Sequence, residues 1–135
     1  EVRILDYKTG SSAPKKGDLP RHAQLGAYQV ALAEGAFSEH LDEVRRATGV
    51  PGGRSATSTG AALVHVGKVA GKSFRLDLQG PLDSDSEPRW AHDLVAATGE
   101  SMGAAFFAAL PEDRRCERCP VRRTCPAHPE GAPLA

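Results

Sequence analysis

Residues 2–32, VRILDYKTGSSAPKKGDLPRHAQLGAYQVAL, are the stretch that decides the fold. The opening VRILDY is apolar and β-branched with few breaks, which predicts a buried β-strand that ends at Thr9 and Gly10. Residues 11–20 are rich in Gly, Pro, Ser and Lys, so they predict a surface loop. From Arg21 the apolar residues recur with the 3.6-residue period of an amphipathic helix, which we expect Gly35 to end. A buried strand followed directly by a helix is typical of an α/β chain.

The rest of the chain continues this mixture of helices and strands. Residues 38–48, with Ser38 as a candidate N-cap and Gly49 behind them, predict a second helix, and residues 50–60 predict a loop. Two apolar runs predict a β-hairpin, and the apolar spacing that follows predicts a long helix with its aromatic residues in the core. These elements are Ala61–Val66 and Ser73–Leu78 for the hairpin, and residues 87–110 for the helix with Trp90, Phe106 and Phe107. We therefore expect an α/β domain, a small mixed sheet flanked by helices over residues 1–110, and a Cys-rich tail over residues 111–135.

The bulk composition places few limits on function. The 135 residues are 40% hydrophobic and 25% charged, with 17 basic and 17 acidic residues, so the whole chain does not attract a polyanion. Contacts with nucleic acid must come from local patches. No apolar run reaches the roughly 20 residues of a membrane span, and no signal peptide opens the chain, so we expect a cytoplasmic protein without a membrane partner. The sequence lacks an initiating Met and begins inside a predicted strand, and we expect it to be a fragment.

Asp6 and Lys8 are candidate catalytic residues. Side chains two apart on a strand share a face, so the Asp6 carboxylate and the Lys8 ammonium meet one site while Tyr7 points away. Such a pair suits phosphodiester hydrolysis, because the carboxylate can hold Mg²⁺ and the lysine can orient or deprotonate water and offset charge on the phosphate. The Tyr7 backbone carbonyl is a second candidate metal ligand. Taken alone, the three residues also fit a salt bridge at the end of a surface strand.

Gln24 and Tyr28 are the next candidates. They lie four residues apart and therefore on one face of the predicted helix, where an amide and a phenol could hold a nucleotide or support Lys8. The alternative is that Tyr28 belongs to the core and Gln24 faces solvent.

Cys116, Cys119 and Cys125 form a C-x2-C-x5-C pattern. Three thiols so close in a chain without other cysteines favour a metal centre over a disulfide framework. With His128 they would make a Cys₃His zinc site. Arginines crowd the same tail and could bind backbone phosphates; they are Arg114, Arg115, Arg118, Arg122 and Arg123.

The remaining titratable residues show no pattern of ligand spacing. This holds for the histidines outside the tail, which are His22, His40, His65 and His92. Asp77 falls on a predicted strand, and we expect it to face water because burying a carboxylate is costly.

Taken together, VRILDYKTG, QLGAY and CERCPVRRTCP resemble the RecB-like branch of the PD-(D/E)XK nuclease superfamily. The chain most resembles the C-terminal nuclease domain of bacterial ATP-dependent helicase-nucleases of the AddAB and AdnAB kind, from Val2 to Pro126. The resemblance implies a restriction-endonuclease-like fold and an exonuclease that uses Mg²⁺ or Mn²⁺ in double-strand-break repair. It also implies single-stranded DNA ends as substrate, with a helicase domain and a partner helicase-nuclease subunit.

The resemblance also implies roles for single residues. Asp6 resembles the second metal-binding acid of the family, Lys8 its catalytic lysine, and Gln24 with Tyr28 the motif that positions DNA and the active site. The three cysteines would hold a [4Fe-4S] cluster with a fourth, upstream cysteine. Family members carry another metal-binding Asp on an earlier strand, which this sequence starts too late to contain, so we expect a fold truncated on that side and a nearly inactive fragment. The alternative is a non-catalytic, DNA-binding or scaffolding domain of the same fold.

Overall fold

The computed structural model describes residues 1–10, 12–51, 56–70, 73–106 and 109–131. The chain divides into two compact units, residues 1–98 and residues 99–135. Its strands are β1 (Val2–Lys8), β2 (Ser58–Ala70) and β3 (Ser73–Gln79), and its helices are α1 (Ala23–Ala33), α2 (Ser38–Thr48), α3 (Trp90–Met102) and the one-turn α4 (Asp113–Cys116). No helix in these described ranges is both long and apolar enough to cross a membrane.

The three strands form one mixed sheet in the order β1-β2-β3. β1 pairs with β2 in parallel, so a crossover is needed between them, and α1 and α2 lie in that connection. β2 and β3 pair antiparallel. This arrangement confirms the predicted α/β fold with a mixed sheet and flanking helices.

α1 packs against one face of the sheet. Leu25 of α1 is fully buried against Ala61 and Leu63 of β2, with Ile4 and Leu19 at the edge of the cluster. A second apolar cluster joins the other end of α1 to the segment after β3 and the start of α3; it contains Val30, Leu82, Ala91 and Trp90. Burial of these side chains, at about 25 cal/mol per Å², is the main force that holds the helix on the sheet.

β1 is not the buried strand that its composition predicts. Its residues alternate between half-buried and exposed, with Ile4, Asp6 and Lys8 on the face that α1 covers. The opposite face of the sheet carries apolar side chains that are about half exposed, which are Leu5, Tyr7, Phe74, Leu76 and Leu78. The hydrophobicity of a sequence indicates which side chains could be buried. Which of them are buried depends on the helix that packs on the sheet, and here α1 covers one face.

Several element boundaries also differ from the predictions. β2 begins at Ser58, inside the predicted loop, and continues through Ala70, into the segment predicted as the hairpin turn. α3 ends at Met102 rather than at residue 110, and Phe106 beyond it is 81% exposed, so its predicted place in the core is wrong. The residue before α2 is Phe37, and Ser38 is already helical. Three other expectations fall partly outside the described residues. They are the core position of Phe107, the loops that include Ser11 and residues 52–55, and the turn at residues 71–72.

Candidate active site

Asp6 and Lys8 lie at the carboxyl end of β1, on the face of the sheet that α1 covers. Their side chains form an ion pair, with 2.9 Å between Lys8 Nζ and Asp6 Oδ2. Asp6 is 15% and Lys8 32% exposed, so both are partly shielded from water. Tyr7 points to the opposite face and is 64% exposed. Because side chains alternate along the strand, Tyr7 lies on the face opposite Asp6 and Lys8, as predicted.

α1 brings Gln24 and Tyr28 to this pair. Lys8 Nζ donates a hydrogen bond of 2.6 Å to Gln24 Oε1, and Gln24 Nε2 donates one of 3.0 Å to the Tyr28 hydroxyl. Asp6, Lys8, Gln24 and Tyr28 thus form one continuous series of polar contacts, which we call the catalytic series after the roles that the sequence predicts for Asp6 and Lys8. In this series β1 meets α1 through Lys8 and Gln24, which are 16 residues apart in sequence. The structure therefore brings together the four side chains that the sequence singled out.

Two anchors fix the start of α1, where Gln24 lies. The buried Gln79 side chain at the end of β3 donates hydrogen bonds to the backbone carbonyls just before α1, those of Leu19, Pro20 and His22. Arg21 donates to both carboxylate oxygens of Asp85, at 2.7 and 3.2 Å, and to Glu87 at 3.2 Å. The position of Gln24 relative to β1 is consequently set by residues about 60 positions downstream.

The Arg21 anchor perturbs the titration of Asp85. The hydrogen bond from Arg21, followed by the one from the Glu87 backbone N–H, lowers the pKa of the Asp85 carboxyl from its usual 3.8 to about 2. The carboxylate is therefore the form that the fold stabilises.

Asp6 fits a role as one ligand of a hard cation. Its Oδ2 atom is buried and, among the described residues, accepts no hydrogen bond; its recorded contact is the ion pair with Lys8. Asp6 and the nearby Tyr7 carbonyl are oxygen donors of the kind that Mg²⁺ takes, together with waters and substrate phosphates. Within the described ranges, no three His, Cys, Asp or Glu side chains are grouped to hold a metal ion by themselves. A metal ion at Asp6 would therefore need further oxygen ligands beyond these two.

A cleft of about 400 Å³ opens beside Lys8. Its walls come from the end of β1, the loop after it, the start of α1 and the middle of β2; the lining residues are Lys8, Gly10, Ser12, Ala13, Pro14, His22, Leu63 and His65. His65 faces Lys8 across the parallel pair of strands. The cleft is thus continuous with the catalytic series.

His65 and Asp77 form a buried polar pair that the sequence patterns did not predict. His65 is 1% and Asp77 8% exposed, and His65 Nε2 lies 3.0 Å from Asp77 Oδ2. The expectation that Asp77 faces water is wrong, because Arg75 Nε also donates to both Asp77 oxygens at 3.0 Å and offsets the cost of burial. Burial would raise the pKa of the Asp77 carboxyl, but Arg75 and then His65 outweigh it and hold that pKa below 3.8. The i, i+2 spacing of Arg75 and Asp77 on a hairpin opposite His65 was the signal available in the sequence.

The cysteine tail belongs to the unit of residues 99–135. Cys116, Cys119 and Cys125 are free, partly buried thiols. Short turns connect them, with backbone hydrogen bonds from Cys119 to Cys116 and from His128 to Cys125. The thiols and His128 are not grouped as a metal site, at least in the described part of the tail. The five arginines that the sequence singled out are exposed.

One comparison with known proteins identifies the family. A model of the PD-(D/E)XK nuclease superfamily matches residues 1–126. No curated protein and no solved structure matches the chain. Proteins of this superfamily are typically nucleases that use Mg²⁺ or Mn²⁺. The match covers nearly all of the 135 residues and includes the catalytic series, so the chain belongs to the PD-(D/E)XK nuclease superfamily.

Proposed function

We propose that this chain is part of the nuclease module of a bacterial, cytoplasmic helicase-nuclease that hydrolyses phosphodiester bonds of DNA. The observation that carries the proposal is the catalytic series, in which a carboxylate, an ammonium, an amide and a phenol are linked by contacts of 2.6–3.0 Å. A strand-end salt bridge at the surface would need neither the amide nor the phenol. Family membership supports the same reading.

Asp6, Tyr7 and Lys8 have separate roles in the proposed reaction. Asp6 and the Tyr7 carbonyl would hold Mg²⁺ or Mn²⁺, which when bound supplies a Lewis acid for the phosphate oxygens. Lys8 Nζ forms an ion pair with Asp6 and donates a hydrogen bond to Gln24, and another of its N–H groups can donate to a phosphate oxygen. As the water oxygen bonds to phosphorus, the bond from phosphorus to the leaving sugar oxygen breaks; the water releases a proton to solvent, and the leaving oxygen takes one up from solvent. Lys8 stabilises the charge that grows on the phosphate during this step.

The helicase-nuclease context rests on the resemblance of the DYK, QxxxY and cysteine motifs to AddAB and AdnAB nuclease domains. In that setting a helicase domain and a partner subunit deliver single-stranded ends of unwound duplex to the site. The exposed face of the site, with Tyr28 36% and the Lys8 side chain 32% exposed, is compatible with a flexible single strand.

The decisive test is a nuclease assay on end-labelled single-stranded DNA with Mg²⁺, using the full-length protein purified without oxygen. We expect Lys8→Ala to lower kcat about 100- to 1,000-fold, the usual effect of removing one donor that stabilises a transition state. Lys16→Ala is the matched control, because Lys16 is exposed in the loop before α1, and it should cut like the unmodified protein.

Equal cutting by the Lys8→Ala and Lys16→Ala variants would contradict the proposal. DNA binding without cutting by any form, measured by fluorescence anisotropy, would instead establish the non-catalytic DNA-binding domain.

For the tail, we propose that Cys116, Cys119 and Cys125 are ligands of a [4Fe-4S] cluster in the full-length protein. The proposal is supported by their C-x2-C-x5-C spacing and their partial burial. Anaerobically purified protein should contain iron and acid-labile sulfide in equal amounts, and Cys119→Ser should lose both. Zinc without sulfide, lost in His128→Ala, would instead show a Cys₃His site.

A further inference from the structure

The cleft beside Lys8 contains an imidazole that the catalytic series does not use. His65 is almost fully buried, and its Nδ1 atom has no hydrogen-bond partner among the described residues. An unpaired buried polar atom is costly, so its presence at a cleft calls for a ligand. His65 lines the cleft together with Lys8, so that ligand would lie within reach of the catalytic series.

Asp77 determines which proton His65 carries. A carboxylate can only accept a hydrogen bond, and Asp77 stays ionised because Arg75 and His65 lower its pKa. His65 Nε2, 3.0 Å from Asp77 Oδ2, must therefore carry the hydrogen. In the neutral ring Nδ1 is then a free acceptor. Arg75 holds Asp77 from the other side, so the ring cannot easily turn away.

In the proposed reaction the acceptors of the catalytic series already have other tasks. The Asp6 carboxylate would hold the metal ion, the Gln24 oxygen accepts from Lys8, and the Tyr28 hydroxyl accepts from Gln24. A water that turns a lone pair toward phosphorus must direct its hydrogens to acceptors. His22 also lines the cleft, and its Nδ1 atom is likewise buried without a partner among the described residues. As a whole residue it is less buried than His65, and no described carboxylate pairs with it to fix the position of its proton.

We propose that His65 Nδ1 accepts a hydrogen bond from the attacking water and orients it toward the phosphodiester. Asp77 is the positioning residue that sets the tautomer of His65. This inference rests on the proposed nuclease function and adds to it a residue that acts on the nucleophile.

Two isosteric substitutions separate this role from a structural one. His65→Gln keeps a polar atom near the position of Nε2, and with it the contact to Asp77, but removes the acceptor at Nδ1. His65→Asn does the reverse. We expect His65→Gln to lower kcat about 100-fold with KM nearly unchanged, since misplacement of a reacting group by about 1 Å costs this much. His65→Asn should cut faster than His65→Gln although it is the less stable protein. His40→Gln, at an exposed position of α2, is the control.

A second measurement does not depend on activity. Nitrogen NMR of histidine-labelled protein should show His65 with the hydrogen on Nε2 and an unprotonated Nδ1. Asp77→Asn presents an amide donor to Nε2 and should move the hydrogen to Nδ1, with a similar loss of kcat. A proton on Nδ1 of the unmodified protein would overturn the inference.

The outcomes distinguish this inference from the proposed function. If Lys8→Ala abolishes cutting while His65→Gln cuts at the normal rate, only the role of His65 is wrong. If Lys8→Ala has no effect, the nuclease site itself is misplaced, and the inference falls with it.

Discussion

At the scale of single residues, Gln24 links Lys8 of β1 to Tyr28 of α1 in the candidate site. Its amide accepts from Lys8 at one end and donates to Tyr28 at the other. Because an amide can do both at once, it fixes the ammonium in a direction that a hydrophobic side chain could not. Tyr28 then acts on Lys8 only through Gln24.

This difference gives a graded prediction. Gln24→Leu should lower kcat about 10- to 100-fold, since Lys8 loses the acceptor that orients it. Tyr28→Phe removes one hydroxyl from the far end of the series and should cost clearly less. Single-turnover cutting of labelled DNA, with DNA affinity measured in parallel, checks both variants. A Tyr28→Phe loss equal to that of Gln24→Leu would mean that Tyr28 contacts DNA directly.

Asp85 gives a prediction about acid stability. Its pKa is about 2 in the fold and 3.8 without partners, so its contribution is complete well above pH 3.8 and is lost as the pH falls toward 2. Asp85→Asn should remove this part of the pH dependence of the free energy of unfolding, measured by urea titration between pH 7 and about pH 2. Asp83→Asn, an exposed neighbour in the same segment, should leave it unchanged.

Residues of the catalytic series could be predicted from the sequence because strand and helix periodicity places them on shared faces. The His65–Asp77 pair could not, since its two members stand on different strands and face each other through the hairpin register. The free-energy cost of burying a carboxylate, taken alone, predicts that a single acidic residue on a strand faces solvent. Here Arg75, two residues away, reverses that assignment.

At the scale of elements, the existence and type of β1–β3 and α1–α3 followed from periodicity, whereas several of their ends and the one-turn α4 did not. β2 starts earlier than predicted because Ser58 and Gly60 look like loop residues. Ser58 donates to the buried Gln29 and so has a partner inside the fold. Gly60 has φ +96°, and a Cβ there would meet the backbone carbonyl of Gln79.

Gly60→Ala should therefore destabilise the protein by more than about 2 kcal/mol, from backbone strain and from the collision with β3. Gly99→Ala is the opposite case. Gly99 lies within α3, and an added methyl group would meet no described atom outside the helix backbone within 4 Å, so a gain of about 0.5–1 kcal/mol is expected. Thermal unfolding of both variants measures the contrast. A neutral Gly60→Ala would show that β2 and β3 can separate at this point.

At the scale of the whole molecule, the open face of the sheet is the main departure from an ordinary domain surface. Leu5 and Leu78 flank Ala62 in one row, and Tyr7 and Leu76 flank Val64 in the next. The four flanking side chains are 45–64% exposed. Contiguous apolar surface of this kind favours association and dye binding.

The 135-residue chain should accordingly bind the apolar dye ANS and associate as its concentration rises. Leu76→Lys should reduce both effects, as seen by fluorescence and sedimentation velocity. Val50→Lys replaces a residue of similar exposure that follows α2, and it should change neither. Dye binding that persists in Leu76→Lys but not in Val50→Lys would show that the dye binds an apolar surface other than this face of the sheet.

The anchoring of α1 by Gln79 and Arg21 has a consequence for synthesis of the protein. Asp6, Lys8, Gln24 and Tyr28 leave the ribosome first, but the residues that hold α1 in place are made about 60 codons later. Until residue 85 has emerged, α1 lacks both of these anchors, although Leu25 can already pack on β2. We therefore expect a growing chain to complete the arrangement of the four side chains late in synthesis.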